Sequence, residues 1–136
     1  MKLIRNQKGA AMVEMAIALP LILILLCGTI EFGVLFYNKQ VITNASREAV
    51  RAGISGINNA TIRKVVKDYS GNKLIGLKDP VSLKDDDIQI TPDGDDLRVS
   101  VNVAYNFLFS QIIGLGSSIN ISASTVMRME PTKISS

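Results

Sequence analysis

A chain of 136 residues has room for one modest domain and a long helix, not for two independent cores. Its formal net charge of +3 is carried by Lys2, Arg5 and Lys8 alone, so everything beyond residue 9 is neutral and no basic surface for nucleic acid is expected. With no histidine and the single cysteine Cys27, an internal disulfide, Cys/His metal sites and a Cys–His nucleophile are excluded, and the usual proton shuttle of neutral-pH catalysis is missing.

Residues 1–8, MKLIRNQK, form a short basic leader. Positive charge before an apolar run tends to stay on the cytoplasmic side while the run enters the bilayer. The apolar run here is too long for the core of a secretory signal, and it flows into TIEFG with no convincing small-x-small cleavage site. Two readings remain at this point. The leader either belongs to an uncleaved signal anchor, or it is removed on the cytoplasmic side, leaving Ala10 as the new N-terminus.

After Gly9, Glu14 is the lone carboxylate in a run otherwise uncharged as far as Ile30. Such a group costs about 2.5–3.5 kcal/mol inside a bilayer, so it needs either a partner or a place among headgroups. Residues 10–37, at about 1.5 Å per residue, are long enough to cross a membrane. Tyr37, beside Phe36, has the amphipathic ring favoured at the outer edge. Pro20 withholds a donor from the Ala16 carbonyl and is expected to kink or loosen the helix. Cys27 reads as a small packing residue in lipid. Glu31, near the outer interface, reads as a solvated carboxylate or as a polar contact with a partner helix.

From residue 38 the helix turns amphipathic. Ile42, Ala45, Ala49 and Ala52 fall on one narrow stripe, with Glu48 and Arg51 placed for an i,i+3 pair elsewhere. Small side chains permit close approach, either to the protein's own sheet, the favoured choice, or to another subunit through Ala45 and Ala49. Gly53 and Gly56 supply the stop. The excess over a bilayer's thickness suggests a stalk.

Residues 61–70 form a short helix with Ile62, Val65, Val66 and Tyr69 on one face and a solvated basic face of Arg63, Lys64 and Lys67. An irregular connector with Pro80 follows, and then three strands by alternation, over residues 88–91, 97–105 and 119–127. Pro92, Asp93, Gly94 and Asp95 have hairpin-turn chemistry. The aspartates around it (85–87, 93, 95 and 96) lack the order of a calcium loop and read as solvated turn charges. Residues 107–115 are an apolar insertion that either folds over the sheet or, through Phe107 and Phe109, contacts another subunit. The fold expected is α+β: a long transmembrane and stalk helix packed against a small antiparallel sheet of about three strands, plus one short helix. The divisions expected are a leader over residues 1–9, the helix over 10–53 with its membrane part near 10–37, and an extracytoplasmic domain over 54–136.

Gly9 followed by small and apolar residues, with Glu14 at the fifth position after it, resembles the processing site of type IV pilins and pseudopilins. The continuation through Pro20, Gly28, Glu31 and Gly33 to the block of Ala45, Arg47, Glu48, Ala49 and Arg51 is similar to the TadE-like proteins of tight-adherence pilus systems. This resemblance covers residues 9–53, about a third of the chain. Met15 departs from it, standing where the pilins of these systems often have an aromatic residue. The resemblance implies a pilin-like fold and cleavage between Gly9 and Ala10 by a prepilin peptidase. It also implies filament register set around Glu14, Met15 and Pro20. Its implied partners are other pilin and pseudopilin subunits, the peptidase, an inner-membrane assembly platform and membrane lipid, with no cofactor, no metal and no nucleic acid. The sizeable C-terminal part fits a minor pseudopilin of the inner membrane, N-terminus cytoplasmic, rather than a major pilin. The competing reading is an uncleaved single-pass protein whose outer domain binds a partner. An enzyme comes third, because no catalytic constellation can be assembled.

Overall fold

A computed structural model describes residues 7–56, 58–109, 114, 116 and 118–129. Residues 1–6 of the expected leader, and residues 110–113 and 115 of the expected apolar insertion, lie outside the described residues.

One helix, α1 (Gln7–Gly53), runs for 47 residues, about 70 Å at the usual rise. It continues through Pro20 without interruption, so the loosening expected there does not break it. A turn at residues 54–56 leads to α2 (Asn59–Ser70), whose start is fixed by the Asn58 side chain accepting from the Ala60 N–H at 2.9 Å. A single 3-10 turn, Asp85–Asp87, then precedes β1 (Ile88–Asp93), β2 (Asp96–Asn106) and β3 (Ser118–Arg128). The strands form one antiparallel sheet in the order β1-β2-β3. Asp93 pairs with Asp96, so the β1–β2 loop is two residues long. Gly94 takes φ +61° there, the positive value that primed hairpin turns place at their first central position.

The central strand shows why the sheet needs α1. Leu97, Val99, Val101, Val103 and Tyr105 are all buried on one face. Against them lie Ile42, Ala45, Ala49 and Val50 of α1, with Ile62 and Val66 of α2 closing one side. Ala45 and Ala49 are fully covered. A subunit contact through them is therefore corrected: their small side chains are used up in bringing the helix axis close to its own sheet. Gly53 continues this face where Ala52 was expected, because a Cβ at residue 53 would run into Leu97 and Ile62. On β3, Ile121 and Ala123 are buried, whereas Ile119 and Met127 of the same face are exposed. The helix covers the middle of that strand and leaves both of its ends open.

The basic face of α2 is not simply solvated. Arg63 donates to the carbonyls of Asp85 and Ile88, the latter at 2.8 Å, and Lys67 lies 2.7 Å from the Asp85 carboxylate. The hydrogen bond and charge of Lys67 hold the Asp85 carboxyl below its usual range. These contacts hold the end of the connector where the sheet begins.

Ala49→Leu should overpack this seam and lower stability by about 1–3 kcal/mol, read as the thermal midpoint of the full chain in detergent. A midpoint equal to wild type would show that the stripe faces outward instead.

Candidate membrane and assembly interface

Spacing along α1 divides the helix into two parts. Glu31, Leu35, Asn38, Ile42, Ala45, Ala49 and Gly53 recur at steps of four or three, which keeps them on one face. Glu31, Asn38 and every later member of this series are buried, and Leu35 packs partly against the core. Below Glu31 the coverage stops. Met12, Val13, Met15, Ile17 and the Leu/Ile run through Leu26 are exposed around the helix. This is the one helix among the described residues that is long and apolar enough to cross a membrane. From Ala10 to Glu31 it rises about 32 Å, close to the roughly 30 Å of a hydrocarbon core. The packed half of the helix thus begins where a bilayer would end.

Three polar groups on the buried face tie the helix to the rest of the domain. The Ser46 hydroxyl donates to the Thr43 carbonyl at 2.8 Å and lies 2.7 Å from the Thr125 hydroxyl on β3. The Asn38 amide binds the backbone of Ile75 in both directions, donating to its carbonyl at 2.6 Å and accepting from its N–H at 2.9 Å. At the lowest level, one oxygen of Glu31 accepts from the backbone N–H groups of Leu108 and Phe109, the latter at 3.1 Å. The partner of Glu31 is therefore a loop of its own chain, and its carboxylate is buried, not solvated. Without these bonds, the two N–H groups where the chain leaves β2 would lose a charged acceptor.

Around this latch the aromatic residues gather. Phe107 meets Tyr105 edge-to-face with ring centroids 5.5 Å apart. Tyr105 is fully buried, and its hydroxyl has no hydrogen-bond partner among the described residues. Burial, and secondarily the charge of Glu31, push its ionisation upward. Phe107 packs partly against the core, as expected of a segment folding over the sheet. Phe109 and Phe107 also line a groove beside α1.

The structure does not bring all the expected site residues together. Gly9 and Ala10 lie in the first turn of α1, and Glu14, Met15 and Pro20 are exposed on its uncovered half. Glu31 is gathered with Phe107 and Phe109 about 25 Å higher. Asn38 was missed by sequence reading, yet the same four-three spacing extended backward from Ile42 passes through it and through Glu31.

Glu31→Ala should weaken the latch by about 1.5–3 kcal/mol, seen as hydrogen exchange at the Leu108 and Phe109 amides accelerated roughly ten- to hundredfold. Glu31→Gln, which keeps an acceptor, should fall between. Unchanged exchange in Glu31→Ala would mean the carboxylate does not hold the loop.

Residues 9–51 match the family model described as TadE-like protein. No curated protein and no solved structure matches the chain. The matched stretch takes in the uncovered apolar half of α1, the Glu31 and Asn38 ties and most of the small-residue stripe. Over this organising helix the chain is similar to the TadE-like proteins of tight-adherence pilus systems.

Proposed function

We propose that the chain is a minor pilin-like subunit that takes part in assembling or initiating a tight-adherence pilus. It would be held in the inner membrane by the lower half of α1 with its N-terminus cytoplasmic, and released from its leader by a prepilin peptidase cutting between Gly9 and Ala10. The observation that carries this reading is the division of α1 within the family match. A fully uncovered apolar half bearing the single carboxylate Glu14 is joined to a half sealed against its own sheet.

The chemistry of the uncovered half supports it. Gly9 and Ala10 sit in the first helical turn, whose N–H groups lack intrahelical partners and which opens most readily. Cleavage there would create an α-amine at Ala10, one turn from Glu14 on the same face. That amine can pair with the Glu14 carboxylate of the same or a neighbouring subunit. A subunit out of register would leave a charge unpaired in hydrocarbon, which is costly enough to select the correct axial position. Pro20 leaves the Ala16 carbonyl without its helical donor, giving the membrane half a point of deformation on transfer out of the bilayer. Other pilin subunits, the peptidase and the inner-membrane platform are the partners this role requires.

Mass spectrometry of the mature chain, expressed with and without a prepilin peptidase, tests the first step. Loss of residues 1–9 only with the peptidase is expected, and a full-length chain in both cases favours an uncleaved single-pass protein. Glu14→Ala should be processed yet be depleted from assembled pili. Incorporation at the wild-type level would remove its register role.

A further inference from the structure

Glu31 marks a level as well as a contact. It stands about 32 Å along α1 from Ala10, at the outer limit of a typical hydrocarbon core. Beside it opens a groove of about 1050 Å³ whose helix wall includes Leu23, Cys27 and Phe32 and whose opposite wall is Phe107, Phe109 and Ile119. Leu23 lies eight residues below Glu31, about 12 Å deeper along the axis. The groove therefore reaches into the depth occupied by acyl chains, although its outer wall belongs to the domain that carries the sheet.

We propose that Phe107, Phe109 and Ile119 form a wedge in the outer leaflet, and that lipid acyl chains fill the groove between this wedge and α1. Continuity argues for that occupant. The groove floor is the upper end of the same uncovered apolar surface that runs from Met12 through Leu26, so whatever bathes the span bathes the groove. The Glu31 latch argues for it independently. Irregular backbone at membrane depth must have its N–H groups satisfied within the protein, and a buried carboxylate serves those of Leu108 and Phe109 at the point where the chain leaves β2. Ile119 is left 45% exposed although it shares a strand face with buried Ile121, as suits a residue whose solvent is hydrocarbon. The domain is thereby seated on the membrane by two walls rather than hung from one helix, which fixes its tilt. This inference rests on the membrane reading of α1 and not on the pilus role.

The chain contains no tryptophan, so single-tryptophan variants report their own surroundings. Phe109→Trp, Ile119→Trp, Leu21→Trp in the span and Thr91→Trp on β1 are each placed in the full chain and reconstituted into phosphatidylcholine vesicles. The lipids carry bromine near the glycerol end or near the tail end of the acyl chains. Phe109→Trp and Ile119→Trp should emit to the blue and lose most of their fluorescence to bromine near the glycerol end. Leu21→Trp should respond to bromine near the tails, and Thr91→Trp to neither. Unquenched residues 109 and 119 beside a quenched residue 21 overturn the wedge and leave the membrane reading standing. Quenching that vanishes as protein density rises gives the groove to a second copy and overturns the lipid assignment. An unquenched residue 21 overturns the membrane reading and the wedge together.

Discussion

A single helix that must satisfy two solvents sets the terms for the rest of this molecule. Its lower half presents large apolar side chains all round, a surface stable only in hydrocarbon or against other helices. Its upper half presents Ile42, Ala45, Ala49 and Gly53 to the buried face of a three-stranded sheet. Three strands with one apolar face are at the margin of independent stability. The sheet is accordingly not a separable domain, since its core is completed by residues that continue the membrane span.

That continuity explains the buried polar residues. A polar group buried without a partner costs about 1–3 kcal/mol, yet Glu31, Asn38 and Ser46 recur on the face that enters the core. Each is tied to a different part of the domain: the exit of β2, the connector at Ile75, and β3. Apolar packing alone would tolerate some sliding of an alanine stripe along a sheet. Directional bonds at three levels do not, and they set the height of the sheet above the span. Tyr105 is the exception, a buried hydroxyl with no partner among the described residues, placed beside the latch.

Much of this was legible in the sequence because periodicity carries it. The long helix, the short helix, the three strands and a hairpin turn around Gly94 all followed from spacing and turn chemistry, with strand ends a residue or two longer than alternation indicated. The alanine stripe was visible too, and its preferred destination, the chain's own sheet, is where it lies. What could not be read was which charges would be withdrawn from water. Glu31 looks like any carboxylate near a membrane edge until the end of β2, 77 residues later, is folded back against it. Arg63 and Lys67 likewise read as a solvated face until the connector returns to them. Local patterns fix which faces are apolar. Long-range closure decides which polar groups must serve as anchors.

For the pilin-like role proposed above, this arrangement separates two tasks. The sheet, α2 and the upper stripe are internally satisfied and can travel as a unit, while the uncovered half of α1 can exchange lipid for the helices of neighbours. The central claim is that the boundary between the two lies at Glu31. Cys27, the chain's single cysteine, stands one helical turn below that boundary and is partly exposed on the molecule itself. Its reaction with a membrane-impermeant maleimide in intact vesicles is the most direct measure, alongside an Asn44→Cys chain in which Cys27 is replaced by alanine. Protection of Cys27 until detergent is added, with Asn44→Cys labelled at once, is the predicted result. Equal labelling of the two in intact vesicles would place the boundary elsewhere and contradict the account.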